Sequence, residues 1–151
     1  MSRPLVHEDL DLFFDKFAYD LRNCIRFTGI HFMGTEDRLE FPTIVYSQNW
    51  AANIVGKVSY IYDQQTKILA RIQQDFSQIY SGEESAKNQP ITQLESLKFR
   101  YYIYNKETKE YLWKDDFLEG EFPIAVRIEL ELGNDAQVQS FTRTVSIPIA
   151  S

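Results

Sequence analysis

FPIAVRIELELGNDAQVQSFTRTVSIPI, residues 122–149, reads as two strands joined by a turn, and it fixes how the rest of the chain is interpreted. Apolar and polar residues alternate from Val126 to Leu132 and again from Phe141 to Ile149, as in strands that bury one face. Gly133-Asn134-Asp135 supplies residues that adopt positive φ readily in a tight turn. The sequence therefore predicts an antiparallel hairpin here.

Upstream of the hairpin, short runs of β-branched, aromatic and alternating residues predict more strands. These predicted strands are Ile30–Met33, Leu39–Tyr46, Val58–Tyr62, Lys67–Ile72 and Leu97–Tyr104. Polar turn residues at 63–66 and 105–108 predict two further hairpins. Residues 77–93 are polar and rich in turn formers, which predicts a surface loop.

The start of the chain has a different period. Apolar residues recur there at steps of three and four, which predicts an amphipathic helix from about Leu5 to Phe27. Its apolar stripe comprises Leu10, Phe13, Phe14, Phe17, Leu21, Cys24, Ile25 and Thr28. The predicted fold class is α+β: one long N-terminal helix packed on largely antiparallel β-sheet, with two sheets, in a single domain spanning 1–151 whose strand-rich head covers about 30–149.

Composition excludes several classes of protein. The 151 residues carry 16 Lys and Arg against 22 Asp and Glu, a net charge of -6, which disfavours nucleic acid as a partner. The single Cys24 allows no intramolecular disulfide, and its place on the apolar stripe predicts a buried thiol. No apolar run approaches the length of a membrane span.

No catalytic constellation is apparent. His7 and His31 are the only histidines, and neither accompanies a nucleophile motif, so the sequence predicts neither catalytic nor cofactor-binding residues. The acidic run Asp115–Glu121 offers oxygen ligands that calcium would accept, but its spacing is not that of an EF-hand. A solvated acidic loop explains the same run, and the sequence predicts no metal site.

The predicted helix carries a second, weaker apolar feature. Leu5, Leu12 and Tyr19 are spaced by seven and lie opposite the apolar stripe, among polar residues that include Arg26. Such a seam suits a partner helix, although scattered apolar residues on a surface are common. Leu5, Leu12, Tyr19 and Arg26 are therefore the predicted partner interface.

Several strings in fixed order resemble one family. Asp20-Leu21-Arg22-Asn23-Cys24-Ile25 is similar to the end of a pilin helix, with its Asp-Leu-Arg-x-x-Ile signature. Val58-Ser59-Tyr60 followed by Leu69-Ala70-Arg71 looks like a hairpin in which a V-x-Y strand is answered by Leu-x-Arg. Phe122-Pro123-Ile124-Ala125-Val126 is similar to a Leu-Pro-x-Ala-Val strand. Together they resemble the J-type minor pseudopilins of bacterial type II secretion.

The resemblance implies a non-enzymatic role. Such proteins are thought to assemble at the tip of a short pseudopilus with I- and K-type minor pseudopilins, through their N-terminal helices. It also implies a place at the periplasmic face of the inner membrane, held there by an upstream apolar helix that this sequence does not include. A minor pilin of a type IV pilus and a stand-alone ligand- or calcium-binding module are the alternatives.

Overall fold

The computed structural model describes residues 7–82, 90–133 and 137–150, with side chains described from Asp9 onward. One helix is followed by a series of β-strands, and a second, short helix interrupts that series. The elements are α1 (His7–Arg22), β1 (Met33–Gly34), β2 (Arg38–Ser47), β3 (Ala52–Asp63), β4 (Ile68–Asp75), α2 (Phe76–Ser81), β5 (Leu94–Asn105), β6 (Glu110–Lys114), β7 (Ala125–Gly133), β8 (Val138–Ser146) and a 3-10 turn (Pro148–Ala150).

The strands form two antiparallel sheets of four strands each. The first has the order β1-β2-β3-β4 and the second the order β6-β5-β7-β8. The predicted class, α+β with one long helix packed on sheet, is wrong, because most of the regular structure is antiparallel strand and α1 is the only helix of seven or more residues within the described ranges. The protein is mainly antiparallel β, because α1 is shorter than the predicted helix and β3, β4 and β5 are longer than the predicted strands.

The three predicted hairpins are all present. β7 and β8 pair so that Ala125 faces Ser146 and Leu130 faces Phe141, which confirms the hairpin read from residues 122–149. Asn134 and Asp135 of its predicted turn lie outside the described residues. β3 pairs with β4, and β5 with β6, on either side of the other two predicted turns.

The predicted end of the first helix at Phe27 is wrong, because α1 ends at Arg22. Cys24 and Ile25 continue the apolar period of the helix, but the chain is extended there and runs beside β2. Cys24 forms an antiparallel bridge with Thr43, and the Ile25 amide donates to the Pro42 carbonyl over 3.1 Å. Apolar residues that follow the helical period can therefore also be buried when they lie on an extended segment.

Thr43 on β2 explains where the helix stops. The last carbonyls of a helix have no partner within it and need one elsewhere when they are buried. The Thr43 hydroxyl lies 3.0 Å from the Asp20 carbonyl and 2.9 Å from the Asn23 carbonyl, and Thr43 is fully buried. The end of α1 is thus set by a residue of the neighbouring sheet.

The predicted loop over residues 77–93 is wrong at its start, where the chain forms α2. Asp75 caps this helix: its carboxylate accepts from the Gln78 amide over 2.9 Å, and the Gln78 side chain accepts from the Asp75 amide over 2.9 Å. Gly82 ends the helix in the left-handed region, at φ 74°. Residues 83–89 lie outside the described part, and Ile91 pairs with Leu69 at the edge of β4.

The core joins α1 to both sheets. The fully buried Phe17 ring lies 5.3 Å from the Tyr60 ring of the first sheet and 6.1 Å from the Phe99 ring of the second. Burying an aromatic side chain of this size contributes roughly 2–3 kcal/mol. In the described part of the chain, no helix has the length and apolar content needed to cross a membrane.

Candidate partner interface

α1 has one face in the core and one face in solvent. Leu10, Phe14 and Phe17 are buried, as the apolar stripe predicts. Leu12 and Tyr19 lie on the other side of the helix, with 68% and 56% of their surface exposed. The exposed positions therefore belong to a helix whose orientation is already fixed by its buried side.

A buried ion pair fixes that orientation further. The Asp20 carboxylate on α1 accepts from Arg71 Nε over 2.8 Å and from Arg71 Nη2 over 3.0 Å. The Tyr60 hydroxyl on β3 donates to the same carboxylate. All three side chains are buried, so the carboxylate is satisfied by protein donors rather than by water.

Burial, and secondly the nearby charge of Asp20, raises the pKa of the Tyr60 phenol well above its usual range. The phenol therefore stays protonated and remains a donor to the carboxylate. The Arg71 guanidinium also donates to the Gln73 side chain over 3.1 Å. This network connects α1 to both β3 and β4 and leaves little freedom for the helix to rotate.

The exposed side of α1 forms a narrow surface that we call the α1 ridge: Leu12, Lys16 and Tyr19. Lys16 follows Leu12 by four residues and precedes Tyr19 by three, so the three positions are neighbours along the helix surface. The Lys16 ammonium lies 5.2 Å from the centre of the Tyr19 ring. Leu12 and Tyr19 are separated by two helical turns, roughly 10 Å along the axis. The ridge thus presents two apolar contacts at the repeat distance of paired helices.

Charge changes sign along the ridge. The exposed Asp11 lies beside Leu12 at one end and the exposed Arg22 lies one turn beyond Tyr19 at the other, whereas Asp15 and Lys16 lie between the two apolar residues. Each half would be matched by the opposite charge on a partner. The charges of the α1 ridge therefore favour one direction of a partner helix, in addition to the apolar surface that the ridge offers.

The other two predicted interface residues are not brought to this ridge. Leu5 lies outside the described residues. Arg26 follows the end of α1, and its guanidinium forms an ion pair with Glu121 over 3.1 Å and lies 5.8 Å from the Phe122 ring. Because the helix stops at Arg22, Arg26 does not continue the seven-residue spacing.

The acidic run does not bring its carboxylates together. Asp115 lies 3.3 Å from Lys98 Nζ and 3.4 Å from Arg100 Nε, while Glu121 contacts Arg26. Among the side chains that the structure describes, no three of His, Cys, Asp and Glu are grouped as metal ligands would be. These carboxylates neutralise cations on neighbouring elements.

The remaining candidates for chemistry are equally dispersed. Burial raises the pKa of the Cys24 thiol to about 12, so it remains an unreactive thiol near neutral pH. His31 is exposed and lines an open depression of about 430 Å³ beside Glu121 and Phe122. The side chain of His7 is outside the described part of the structure.

One apolar hollow was not predicted from the sequence. Phe27, Trp50, Ile54 and Phe76 line a shallow depression of about 280 Å³ between the β2–β3 hairpin and α2. Trp50 is 65% exposed there. The hollow depends on α2, which was not predicted, so no local pattern in the sequence marked it.

The buried pair was also missed, although it has a sequence signal. Asp20 lies on the apolar stripe, three residues after Phe17, and Arg71 lies two residues after the buried Leu69, on the same face of β4. A charged residue at a core position of each element suggests that the two charges form a pair, but it does not indicate which elements meet.

Neither the protein-family models nor the curated proteins give a significant match to this chain.

Proposed function

We propose that this chain is a non-catalytic assembly component, a minor pseudopilin of type II secretion that binds partner pseudopilins through the α1 ridge. The observation that carries the proposal is the exposure of Leu12 and Tyr19 on a helix whose opposite face is fixed in the core. Large apolar side chains that are rigidly held and exposed are typical anchors of protein interfaces.

The strings that resemble the family support the proposal in a second way. Asp20 comes from the Asp-Leu-Arg string, Tyr60 from the V-x-Y strand and Arg71 from the Leu-x-Arg strand. These residues meet in one buried hydrogen-bonded network. The three strings therefore share a single structural role, which is to hold α1 against the first sheet with its ridge outward.

The chemistry of the ridge defines the partner. A second helix with apolar residues seven apart would cover Leu12 and Tyr19, with basic residues beside Asp11 and acidic residues beside Arg22. I- and K-type minor pseudopilins are the proposed partners, at the periplasmic face of the inner membrane. A minor pilin of a type IV pilus would use the same surface with other partners.

The test uses a Leu12→Asp/Tyr19→Asp variant. Both residues are exposed, so we expect its unfolding free energy to differ from wild type by less than about 1 kcal/mol. Binding to the soluble heads of the minor pseudopilins encoded with this chain should weaken at least tenfold, measured by titration calorimetry. The loss of two apolar anchors and the introduction of two charges into an apolar contact account for that size.

A matched control is Leu118→Asp/Tyr80→Asp, because these residues are 55% and 79% exposed but lie elsewhere. It should bind as wild type does. Equal weakening by both variants would mean that the ridge is not the interface. Wild-type heads that fail to bind at all would refute the proposed pseudopilin role.

A further inference from the structure

The second sheet ends in an open edge at β6. β6 pairs with β5 from Tyr101↔Lys114 to Asn105↔Glu110, and in the sheet order it has no neighbour on its other side. No backbone group from the other described residues bonds to that side. An edge of this kind offers a row of backbone donors and acceptors to another strand.

We propose that β6 pairs with β6 of a second copy of this chain, which joins the two second sheets into one eight-stranded sheet. Directly opposed residues of an antiparallel pair point to the same face of the sheet. In a twofold pair of identical strands this requires one residue to lie on the symmetry axis, opposite the same residue of the second copy. Centring on Leu112 places Leu112 opposite itself, and Tyr111 opposite Trp113 of the second copy.

Charge selects this register. With Leu112 at the centre, Glu110 lies opposite Lys114 of the second copy. Unlike charges therefore meet at both ends of the twofold strand pair. Centring on Tyr111 instead opposes Glu110 to Leu112, and centring on Trp113 opposes Lys114 to Leu112, so neither of these registers brings unlike charges together within β6.

Edge strands usually carry charges that oppose association, because like charges meet when copies approach. β6 is charged at both ends, but these charges are opposite in sign to the charges that they would meet on β6 of a second copy. Lys114 and Glu110 lie at the two ends of the strand, each exposed. The charged ends of β6 therefore attract the second copy, whereas charges on edge strands usually repel it.

The outer face of the sheet adds aromatic contacts at the same edge. The Tyr104 and Tyr111 rings lie 4.9 Å apart, and the Tyr102 ring lies 5.8 Å from Tyr111 and 4.9 Å from Trp113. The Arg127 guanidinium covers Trp113 at 4.1 Å. Pairing at Leu112 would continue this row of rings from one copy to the next, since Tyr111 meets Trp113 there.

This surface is separate from the α1 ridge. α1 contacts β8, and β5 and β7 lie between β8 and β6 in the sheet. A twofold contact at β6 therefore leaves Leu12 and Tyr19 free. The inference does not rest on the proposed function, and the two can fail independently.

The test is a charge exchange on the whole chain, read by sedimentation equilibrium. Wild type should show a concentration-dependent dimer that weakens as salt is added. Glu110→Lys and Lys114→Glu each place like charges opposite each other twice, so each variant should raise the dimer dissociation constant about tenfold or more. An equal mixture of the two variants should restore association, because one chain is then positive at both positions and the other is negative at both.

Glu131→Lys is the control, since it makes the same charge change on β7, two strands away from the edge. It should dimerise as wild type does, and circular dichroism melts should show all variants folded. The proposal is overturned if wild type remains monomeric up to about 1 mM. It is also overturned if Glu110→Lys still dimerises as wild type does, or if the mixed variants do not associate.

Discussion

The Asp20 carboxylate on α1 and the Arg71 guanidinium on β4 form a two-point ion pair, with N–O distances of 2.8 and 3.0 Å, inside the core. Asp20 is 2% and Arg71 6% exposed. A charge at such depth is tolerated only while its partner is present, because water cannot replace the lost contacts. The fold therefore holds α1 in this position only while both partners of the ion pair are present.

The first prediction concerns removal of one partner. Asp20→Ala leaves the Arg71 guanidinium buried without its counter-charge, so we expect the free energy of unfolding to fall by about 3–5 kcal/mol. Urea unfolding near pH 7 measures the change. Tyr60→Phe removes only the hydroxyl donor and should cost about 1–2 kcal/mol.

Replacing both partners separates the pair from simple packing. Asp20→Leu/Arg71→Met exchanges two charges for apolar side chains, and we expect it to cost less than Asp20→Ala alone. A double variant that is as unstable as the sum of the single variants would show that the two charges do not act together.

This pair also shows how far the sequence could predict the structure. The β7–β8 hairpin follows from alternation and turn residues that are close in the chain, and it was predicted correctly. Asp20 and Arg71 are 51 residues apart, and nothing local says that their elements meet. The exposed side of α1 was predicted from its regular period, which places Leu12 and Tyr19 opposite the core.

The errors have the same origin. The end of α1 depends on the Thr43 hydroxyl, which lies 2.9 Å from the Asn23 carbonyl but belongs to β2. A pattern read along the helix could not contain that contact, so the prediction carried the helix to Phe27 and placed Arg26 on its face. β6, which carries the proposed edge contact, was implied by the hairpin predicted at 105–108, but its bounds were not predicted because its five residues are too short to show a clear alternation.

The second prediction concerns acid stability. Burial alone would raise the pKa of Asp75, but hydrogen bonds from Ser47, Ser77 and the Gln78 amide together lower it below its usual value. The unfolded chain then binds a proton more readily than the folded chain. The stability that this carboxylate contributes is fully present above about pH 4 to 5, and it is lost as pH falls through the lower, folded pKa.

Asp75→Asn tests this sign. The amide keeps its size and can still cap α2, but it accepts fewer hydrogen bonds, so we expect a loss of about 1 kcal/mol at pH 7. The difference between the unfolding free energies of variant and wild type should shrink as pH falls from about 6 to 2. A difference that stays constant across that range would contradict the assignment of a lowered pKa to Asp75.

The third prediction concerns the place where the two sheets approach each other. Gly34 on β1 exchanges backbone hydrogen bonds with Phe117, at 2.9 and 2.8 Å, and the Tyr101 hydroxyl donates to the Thr35 carbonyl over 2.7 Å. A Cβ on Gly34 would overlap the Tyr101 ring, which is fully buried. Gly34→Ala should therefore destabilise the fold by about 1–3 kcal/mol, measured by urea unfolding.

A double-variant cycle identifies the cause of that loss. In a Tyr101→Leu background the ring is absent, so Gly34→Ala should cost much less than it does in wild type, although Tyr101→Leu is itself destabilising. If the clash is the cause, the two changes are strongly non-additive. Equal costs in both backgrounds would locate the effect of Gly34→Ala in the β1 backbone instead, and would mean that Tyr101 has room to move away from a larger residue at position 34.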